Sequence, residues 1–379
     1  MEVNPIIKLE DLFDYSHLGI KVNKEYAEKI RKEIRSKFGS FKKAAQLTGV
    51  NHVTISKIER RCTRLYIWKK ILNFLKIPLN DLESQTVEVA DKYIYHIKFP
   101  YVVSPLLVRL VAHIIGDGGY YIYNARWTQK DVKPILDLQK EILGIAGAKI
   151  NSTNTEQASI MNFYVKLVCA VLKIKREQVN SADFIKSCIM LPRAHRVQVI
   201  AAIIEDESRI QSESGSIQIA MKDNEIIKAL AKLMDNLGYD RSDIKIVKNK
   251  GFFKSKNKDS ESILYAVFMR ILGAHKFYQD LKASSNKYGL LAKLWKKQSS
   301  FEKLISLNDG KKAIGENINR ILSRKALELM KNKNGCITYK ELKNFLNISH
   351  HRTGSIIRRL FNKKYIKRIN RGYYSLVQS

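Results

Sequence analysis

Two short stretches decide the fold: LVAHIIGDG, from Leu110 to Gly118, and IAAIIEDES, from Ile200 to Ser208. Each is apolar along most of its length and then reaches an acid, Asp117 in the first and Glu207 in the second. A helix that is apolar nearly all round belongs in a protein interior. The sequence therefore predicts two buried helices, each with a carboxylate at its C-terminal end.

The two stretches are part of an internal repeat. In both copies the apolar helix is followed by a strand, a Lys-Asp pair and an amphipathic helix that closes on Gly; the pairs are Lys130-Asp131 and Lys222-Asp223. A duplication predicts an α+β domain with two similar halves about a pseudo-two-fold axis, with the two apolar helices packed together. Small residues would allow their close approach, and the candidates are Ala112, Gly116, Ala201 and Ala202.

The two acids stand at an electrostatically unfavourable position. The C-terminal end of a helix carries a partial negative charge, and two carboxylates brought side by side repel each other. A divalent cation between Asp117 and Glu207 would relieve both effects, and oxygen ligands suit Mg²⁺ or a similar metal such as Mn²⁺. Metal ions beside a phosphodiester can activate water for hydrolysis. The alternative is structural: the acids cap neighbouring loops or pair with lysines.

LVAHIIGDG and IAAIIEDES resemble the two motifs of the LAGLIDADG, or DOD-type, homing endonucleases. The resemblance implies a central αββαββα domain over residues 100–305, whose motif helices form the interface between the halves. It also implies that Asp117 and Glu207 bind the catalytic metal and that each half lays a sheet in the DNA major groove. Three positions depart from the family pattern: Ser208 replaces Gly, Ala202 replaces Gly, and His113 replaces an apolar residue.

Family members also place a lysine near each catalytic site. Lys186, in IKSCIMLP, and Lys287, in SSNKYG, are the candidates that the resemblance suggests. For each lysine, a phosphate contact or a solvated surface charge is the alternative.

An N-terminal domain over residues 1–85 resembles the phage-repressor type of helix-turn-helix. Tyr26, Ile30 and Ile34 share one face of a first helix, and Gly49 stands between two short helices, where a turn needs its freedom of φ. Polar residues of the second short helix are candidates to meet base edges. They are Asn51, His52, Thr54, Ser56 and Lys57.

A C-terminal domain over residues 318–379 looks like a winged helix, with a helix from Ile321 to Lys333, two further helices and a β-ribbon that turns at Asn370 to Gly372. The alternative is a packing domain with a charged surface. Its candidate DNA contacts are Arg352, Arg358, Arg359 and Arg371. In the central domain the candidate DNA contacts are Lys130, Lys222, Lys248, Lys250, Lys254 and Lys256.

The charge of the chain indicates a polyanionic partner. Lys and Arg number 68 against 36 Asp and Glu, a net charge of +32, and neutralising phosphates releases the counterions condensed on nucleic acid. Without a long uncharged apolar run, a signal peptide or paired cysteines, we expect a cytoplasmic, nucleoid-associated protein that binds double-stranded DNA and neither a membrane nor a small-molecule substrate. An internal pseudo-dimer needs no partner subunit, so we expect a monomer.

Three functions remain open at this stage. The leading hypothesis is a freestanding, site-specific, Mg²⁺-dependent double-strand DNA endonuclease, since the chain starts with Met rather than a splicing nucleophile. The second is a transcription regulator that uses the same fold to bind DNA without cutting it, which would explain two flanking DNA-binding domains. The third is an RNA maturase, which is disfavoured because the A-form major groove is too narrow for a recognition helix.

Overall fold

A computed structural model of the chain shows a mixed α+β protein with two compact units, Met1–Glu302 and Lys303–Ser379. The residues that the structure describes are 4–12, 15, 17–91, 94–116, 118–120, 124–128, 133–143, 157–212, 215–249, 262–333, 335–348, 350–370 and 372–377. In this described part, none of the helices combines the length and apolar character needed to cross a membrane.

In the described residues of its N-terminal part, the first unit combines five α-helices with two small sheets. The helices are α1 Lys24–Phe38, α2 Phe41–Thr48, α3 His52–Ser56, α4 Leu65–Leu75 and α5 Leu79–Gln85. The strands are β1 Ile6–Ile7, β2 Gly19–Val22, β3 Thr63–Arg64, β4 Thr86–Ala90, β5 Ile94–Tyr95 and β6 Tyr101–Val102. They form an antiparallel sheet in the order β3-β2-β4-β5 and a β1-β6 pair.

The local structure of α1 to α3 follows from the residues that precede and end each helix. The Asn23 side chain caps α1 and that of Ser40 caps α2, each accepting a bond from a backbone N–H of the first turn. Gly49 ends α2 with a φ of 65°, the left-handed conformation that glycine adopts most readily. Tyr26 and Ile30 are buried on α1, as the helical periodicity predicts.

The remainder of the first unit contains two copies of one element sequence. The first copy is α6 Pro105–Ala112, β7 Gly118–Tyr120, β8 Asn124–Thr128, α7 Lys133–Leu143, β9 Gln157–Met161 and α8 Asn162–Leu172. A short helix, α9 Ala182–Cys188, precedes the second copy. The second copy is α10 Arg193–Glu207, β10 Ser208–Gln211, β11 Ser216–Met221, α11 Asn224–Asn236, β12 Lys245–Asn249, β13 Ser262–Met269 and α12 Ile271–Tyr288.

The three described strands of the first copy pair in the same order as three strands of the second copy. The first sheet has the order β7-β8-β9 and the second β10-β11-β13-β12, with all neighbours antiparallel. β7, β8 and β9 therefore correspond to β10, β11 and β13. Residues 144–156, where the second copy has β12, lie outside the described residues. The duplication inferred from two short motifs thus extends over the topology of both sheets.

The first apolar helix ends earlier than the sequence predicts. The α-helical part of α6 closes at Ala112, and i→i−3 hydrogen bonds of 3.0 Å (Ile114 N to Val111 O) and 3.1 Å (Ile115 N to Ala112 O) tighten the chain into turns up to Gly116. Such tightening is common at helix C-termini because it satisfies carbonyls that have no α-helical partner. The expectation of an α-helix that continues to the acid therefore holds only for α10, which ends on Glu207.

The second unit has its own apolar core, built from Ala326 and Met330 on α13 together with residues of the following helices and strands. The elements are α13 Gln298–Asn332, β14 Cys336–Thr338, α14 Tyr339–Leu346, α15 His350–Asn362, β15 Ile366–Asn370 and β16 Tyr373–Leu376. The three strands pair in the order β14-β16-β15. α13 starts at Gln298, not at Ile321 as expected, because Gly310 and Gly315 interrupt the helical pattern in the sequence without ending the helix.

Candidate functional site

The helices α6 and α10 lie side by side and run in the same direction. At their N-terminal ends, Nε2 of His195 lies 2.9 Å from the carbonyl oxygen of Val103. At their C-terminal ends, Nδ1 of His113 lies 2.8 Å from Oδ2 of Asp206, and both side chains are fully buried. The C-terminal ends of the two helices therefore meet.

The turn that follows α6 comes very close to α10 at Gly116. A Cβ atom added to Gly116 would lie 2.6 Å from Cβ of Asp206, closer than two carbon atoms can pack. Ala112, Ala201 and Ala202 are also fully buried on the two helices. Of the four residues proposed for the helix interface, three thus lie on the two helices, and Gly116 lies in the turn after α6, in close contact with Asp206.

Two of the three consecutive acids at the end of α10 serve the fold. The carboxylate of Glu205 accepts hydrogen bonds from the backbone N–H groups of Trp295 (2.9 Å) and Lys296 (2.7 Å). The carboxylate of Asp206 pairs with His113. Glu207, the last residue of α10, is partly exposed, and it is the acid that the sequence assigns to a metal. Its proposed partner Asp117 lies outside the described residues.

A buried arginine connects α6 with the segment that follows α12. Nη1 of Arg109 donates to the carbonyl oxygens of Leu291 (3.0 Å) and Lys293 (2.7 Å), and to Oε1 of Gln198 on α10 (3.1 Å). Burial lowers the pKa of Arg109 to about 10, and the negative charge of Glu205 opposes that shift. A guanidinium this deeply buried is retained only where hydrogen bonds and an opposite charge offset its desolvation.

The ring of Trp295 packs against polar residues of α6 and of the turn that follows it. Its ring stacks on His113 at a centroid distance of 5.0 Å and lies 4.2 Å from the guanidinium carbon of Arg109. We call Arg109, Gln198 and Glu205, with the segment 289–297 that they hold, the clamp. The clamp fixes the chain that leaves α12 against the paired helices.

The clamp delivers a lysine to the end of α10 that the sequence analysis did not identify. Nζ of Lys297 donates to the carbonyl oxygens of Ile204 (2.8 Å) and Ser208 (2.6 Å), next to Glu207. A cation is favourable at the C-terminal end of a helix, where the carbonyls point outward. In the sequence Lys297 is one of two adjacent lysines with no motif around them, so nothing there distinguishes it.

The two lysines predicted as catalytic lie elsewhere. Lys186, on α9, is exposed and its Nζ lies 3.7 Å from Oδ1 of Asp183. α9 leads into the N-terminal end of α10, about 22 Å along a 15-residue helix from Glu207. Nζ of Lys287, in the last turn of α12, lies 5.2 Å from the ring centre of Tyr288. Their catalytic role stays a prediction.

The second sheet presents a polar face that the sequence analysis also missed. Ile217 and Ile219 on β11 are fully buried and alternate with partly exposed residues on the other side of the strand. On that other side Arg209 pairs across β10–β11 with Gln218, and Nζ of Lys245 lies 5.6 Å from the ring centre of Phe268. Arginine and glutamine are the side chains that read guanine and adenine edges.

The remaining predicted DNA contacts lie on all three parts of the chain. Asn51 caps α3, its Oδ1 accepting from Val53 N at 2.8 Å, while His52 and Lys57 are exposed and Thr54 and Ser56 partly so. Lys222 is exposed just before α11, and on α15 Arg358 is exposed and Arg359 partly buried. Outside the described residues or side chains lie Lys130, Lys248, Lys250, Lys254, Lys256, Arg352 and Arg371.

The side chains at the helix ends provide only some of the ligands that a hard metal ion such as Mg²⁺ requires. Among the described residues no group of three or more His, Cys, Asp or Glu side chains could hold a metal ion. Glu205 and Asp206 are already engaged by the clamp and by His113. A metal here would therefore depend on Glu207 and on Asp117, whose carboxylate oxygens are of the type that Mg²⁺ and Mn²⁺ bind.

Three solved structures are similar to parts of the chain. A mesophilic variant of the homing endonuclease I-DmoI is 14% identical, with a TM-score of 0.29, and the match covers 46% of this chain and 94% of that one. I-DmoI with DNA and Mn is 13% identical, with a TM-score of 0.28, over 47% and 94% of the two chains. Full-length DUF199/WhiA from Thermatoga maritima is 10% identical, with a TM-score of 0.32, over 68% and 90%.

No protein-family model matches the chain, and no curated protein sequence matches it. The structural likenesses are weak in both identity and TM-score. The function proposed below therefore depends on the geometry of this chain's own residues.

Proposed function

We propose that the chain is a site-specific, metal-dependent endonuclease of duplex DNA, of the LAGLIDADG homing type. The observation that carries the proposal is the parallel packing of α6 and α10, whose C-terminal ends meet at Gly116 and Asp206. This packing brings the end of the helix that carries Glu207 against the end of the helix that precedes Asp117. If the carboxylates of Asp117 and Glu207 come together at these ends, their mutual repulsion would require a cation between them.

The arrangement of the sheets supports duplex DNA as the substrate. Each of the two copies carries an antiparallel sheet with the same strand pairing, as expected of two αββαββα halves. The polar face of the second sheet offers Arg209, Gln218 and Lys245. A B-form major groove admits β-strands and exposes base edges to such side chains. In a monomer with pseudo-two-fold symmetry, the two halves would together bind a roughly palindromic site.

The metal would be held by the carboxylates of Asp117 and Glu207. When bound, Mg²⁺ or Mn²⁺ would activate water and stabilise the leaving oxygen of the scissile phosphodiester. This chain's own residues would fix the geometry: the His113–Asp206 pair and the clamp hold α6, α10 and the following segment in one arrangement. Lys297 would supply a permanent positive charge beside Glu207.

The same lysine favours a second candidate, a DNA-binding regulator that does not cut. The ammonium group of Lys297 already satisfies carbonyl oxygens at the end of α10, where a cation is needed. A fold that carries its own cation can keep the helix ends together without metal. In this case the helix-turn-helix and winged-helix segments would determine binding, and the paired helices would act as a scaffold in a cytoplasmic, nucleoid-associated protein.

Cleavage of long DNA separates the two candidates. Purified full-length protein is incubated with Mg²⁺ or Mn²⁺ and DNA that contains its genomic flanking region, and the ends are mapped by sequencing. The endonuclease produces discrete double-strand breaks that Glu207→Gln abolishes without loss of binding. As a matched control, Glu225→Gln removes an exposed carboxylate on α11 and leaves cleavage intact. Tight binding without breaks in any divalent metal contradicts the endonuclease and supports the regulator.

A further inference from the structure

A basic cleft of about 420 Å³ lies beside α3, between that helix, β3 and the start of α4. Three cations line it, Lys57, Arg61 and Arg64, together with the ring of Tyr66 and the hydroxyl-bearing side chain of Thr54. None of the residues that line it, all within the described part of the chain, is acidic. We call it the α3–α4 cleft.

The cations of the cleft differ from other cations of the N-terminal part. Arg31 and Arg60 both pair with Glu59, and Nζ of Lys21 lies 2.9 Å from Oε1 of Glu88. Among the described residues, no ion pair involves the three cations of the α3–α4 cleft. Like charges gathered in one concavity repel each other. The cleft is therefore suited to an anion that brings several negative charges.

The position of the cleft indicates which anion it takes. A helix with its side chains is about 10–12 Å across, and the major groove is about 12 Å wide, so a helix in the groove is flanked by backbone phosphates. The α3–α4 cleft is the concavity at the side of α3 that carries Val53, Thr54 and Lys57. With α3 in the groove, one sugar-phosphate strand would pass along the cleft.

The lining favours a sugar-phosphate strand over a small metabolite. Pockets for small molecules are lined mostly by apolar and aromatic groups, with few polar ones. Here three of the lining residues are cations and none is acidic, and two of the apolar residues beside them, Val53 and Tyr66, are each 40% exposed. The exposed ring of Tyr66 would pack against a deoxyribose while the neighbouring cations bind the adjacent phosphates. We propose that the α3–α4 cleft binds the phosphodiester backbone of duplex DNA through Lys57, Arg61 and Arg64.

The proposal rests on DNA binding, as proposed above, and is independent of cleavage. Its first test is the salt dependence of duplex binding by the full-length chain, measured by fluorescence anisotropy between low and physiological salt. Each phosphate neutralised contributes about −0.9 to the slope of log K against log salt. The triple variant Lys57→Gln, Arg61→Gln and Arg64→Gln is expected to reduce the magnitude of the slope by about 3.

A charge-matched triple variant provides the control. Lys24→Gln, Lys29→Gln and Lys32→Gln remove three exposed cations from α1, none of which lines the cleft. This variant is expected to keep the wild-type slope within about 1 unit. Arg60→Gln, next to Arg61 but paired with Glu59, is the matched single control for Arg61→Gln. Equal losses in the cleft and α1 variants would show a long-range charge effect and overturn the proposal.

A cysteine in the cleft allows a second, independent measurement. Cys62 lines the cleft and is partly exposed, whereas Cys169 and Cys188 are buried. Cys336 is exposed and is removed with Cys336→Ser. In that background, duplex DNA is expected to slow alkylation of Cys62 by N-ethylmaleimide at least about tenfold at saturating duplex, because a bound strand would cover the thiol. Thermal melting of each variant verifies that it folds.

The outcomes distinguish failure of this proposal from failure of the proposed function. A wild-type chain that binds no duplex contradicts both. A second outcome overturns only the assignment of the cleft. In it, the wild type binds duplex with a steep salt dependence, the cleft variant keeps that dependence, and duplex does not change the alkylation rate of Cys62. Protection of Cys62 by inorganic phosphate and not by duplex indicates a small-anion site and also overturns it. A smaller salt-dependence slope in the cleft variant, together with protection of Cys62 by duplex DNA, supports the proposal.

Discussion

Gly116 is the residue on which the approach of the two motif helices depends. In Gly116→Ala the new methyl group would lie 2.6 Å from Cβ of Asp206, an atom next to the backbone that cannot rotate away. Asp206 is moreover held by His113. Overpacking of this kind typically costs about 1–3 kcal/mol. We expect a lower free energy of unfolding and faster hydrogen exchange of amides in α6 and α10.

The control for this substitution is another helical glycine with room for a side chain. A Cβ on Gly354, in α15, would meet only the hydroxyl of Tyr339 at 3.9 Å, an ordinary contact. Gly354→Ala is therefore expected to be neutral or stabilising by about 0.5–1 kcal/mol, because alanine favours helix. Equal behaviour of the two variants in calorimetry would show that α6 and α10 do not pack closely at Gly116.

Lys297 supports the second prediction at the residue scale. Lys297→Met removes the ammonium that bonds the carbonyls of Ile204 and Ser208. Hydrogen bonds to a charged group contribute about 1.5–3 kcal/mol each when fully made, and less at a partly exposed site. We expect the opening free energy of amides at the end of α10 and in β10 to fall by about 1–2 kcal/mol.

Lys296→Met is the matched control for Lys297→Met. The exposed side chain of Lys296 is changed while its backbone N–H continues to bind Glu205. Hydrogen exchange at the end of α10 should then stay close to that of the wild type. If both variants exchange alike, Lys297 is a surface charge with no part in the candidate site.

At the scale of elements, the clamp makes α6, α10 and segment 289–297 one cooperative unit. Removing one partner of a buried charged network costs about 3–5 kcal/mol, because the other charge is left buried. Arg109→Met and Glu205→Gln should therefore each destabilise strongly. Both residues act through the same clamp. The double variant should therefore lose about 1–3 kcal/mol less unfolding free energy than the sum of the losses in the two single variants.

An ion pair at the far end of α10 serves as the control cycle. Arg193 binds Asp280 on α12 through Nη2 at 2.7 Å, at the opposite end of α10 from Glu205. Arg193→Met combined with Glu205→Gln is expected to be additive within about 0.5 kcal/mol. The same measurement, denaturant unfolding, is made on the Arg109→Met and Glu205→Gln variants. If their effects were also additive, a shared clamp would be contradicted.

The sheet face supports a prediction about recognition. Arg209 lies on the outward side of β10, opposite Gln218. A bidentate arginine–guanine contact contributes about 1–3 kcal/mol of discrimination. Arg209→Ala should therefore relax the preferred base at one position when binding sites are selected from random duplexes. Lys228→Ala, an exposed cation on α11 that pairs with Glu225, should leave the selected sequence unchanged.

The elements that could be predicted from the sequence are those with a local periodic signal. The apolar runs around Ala112 and Ala201, and the repeated pattern after them, indicate buried helices and a duplication because their periodicity is visible within a few turns. Gly49 marks a helix end for an equally local reason. The structure confirms the two buried helices and the helix end at Gly49.

The contacts that complete the candidate site have no such signal. Glu205 bonds the backbone of Trp295 and Lys296, far along the chain, and backbone N–H groups carry no residue identity. Arg109 is a charged residue in an apolar helix, and the sequence does not show which backbone carbonyl groups accept its hydrogen bonds. Lys297 is likewise positioned by tertiary packing alone. The resemblance therefore pointed to Lys186 and Lys287, and the structure draws attention to Lys297.

At the scale of the whole molecule, the excess of positive charge is spread over every segment. The net charge is +32, and the described structure shows basic surfaces in the α3–α4 cleft, on the face of the second sheet and on α15. Self-repulsion of this size destabilises a compact protein unless counterions or a polyanion neutralise it. Each of these surfaces, considered by itself, suits a polyanion, and the proposed duplex is one such long ligand.

A single long ligand leads to the last prediction, the salt dependence of binding by the whole chain. If the N-terminal part, the central domain and the C-terminal unit each bind phosphates of one duplex, we expect about six to ten phosphate contacts in total. Binding should then weaken by about 10³–10⁵ between 50 and 200 mM salt. A duplex RNA of the same length should compete less well, since its narrow major groove excludes both α3 and the sheet face. A shallow dependence, or equal competition by RNA, would contradict recognition of duplex DNA through the major groove.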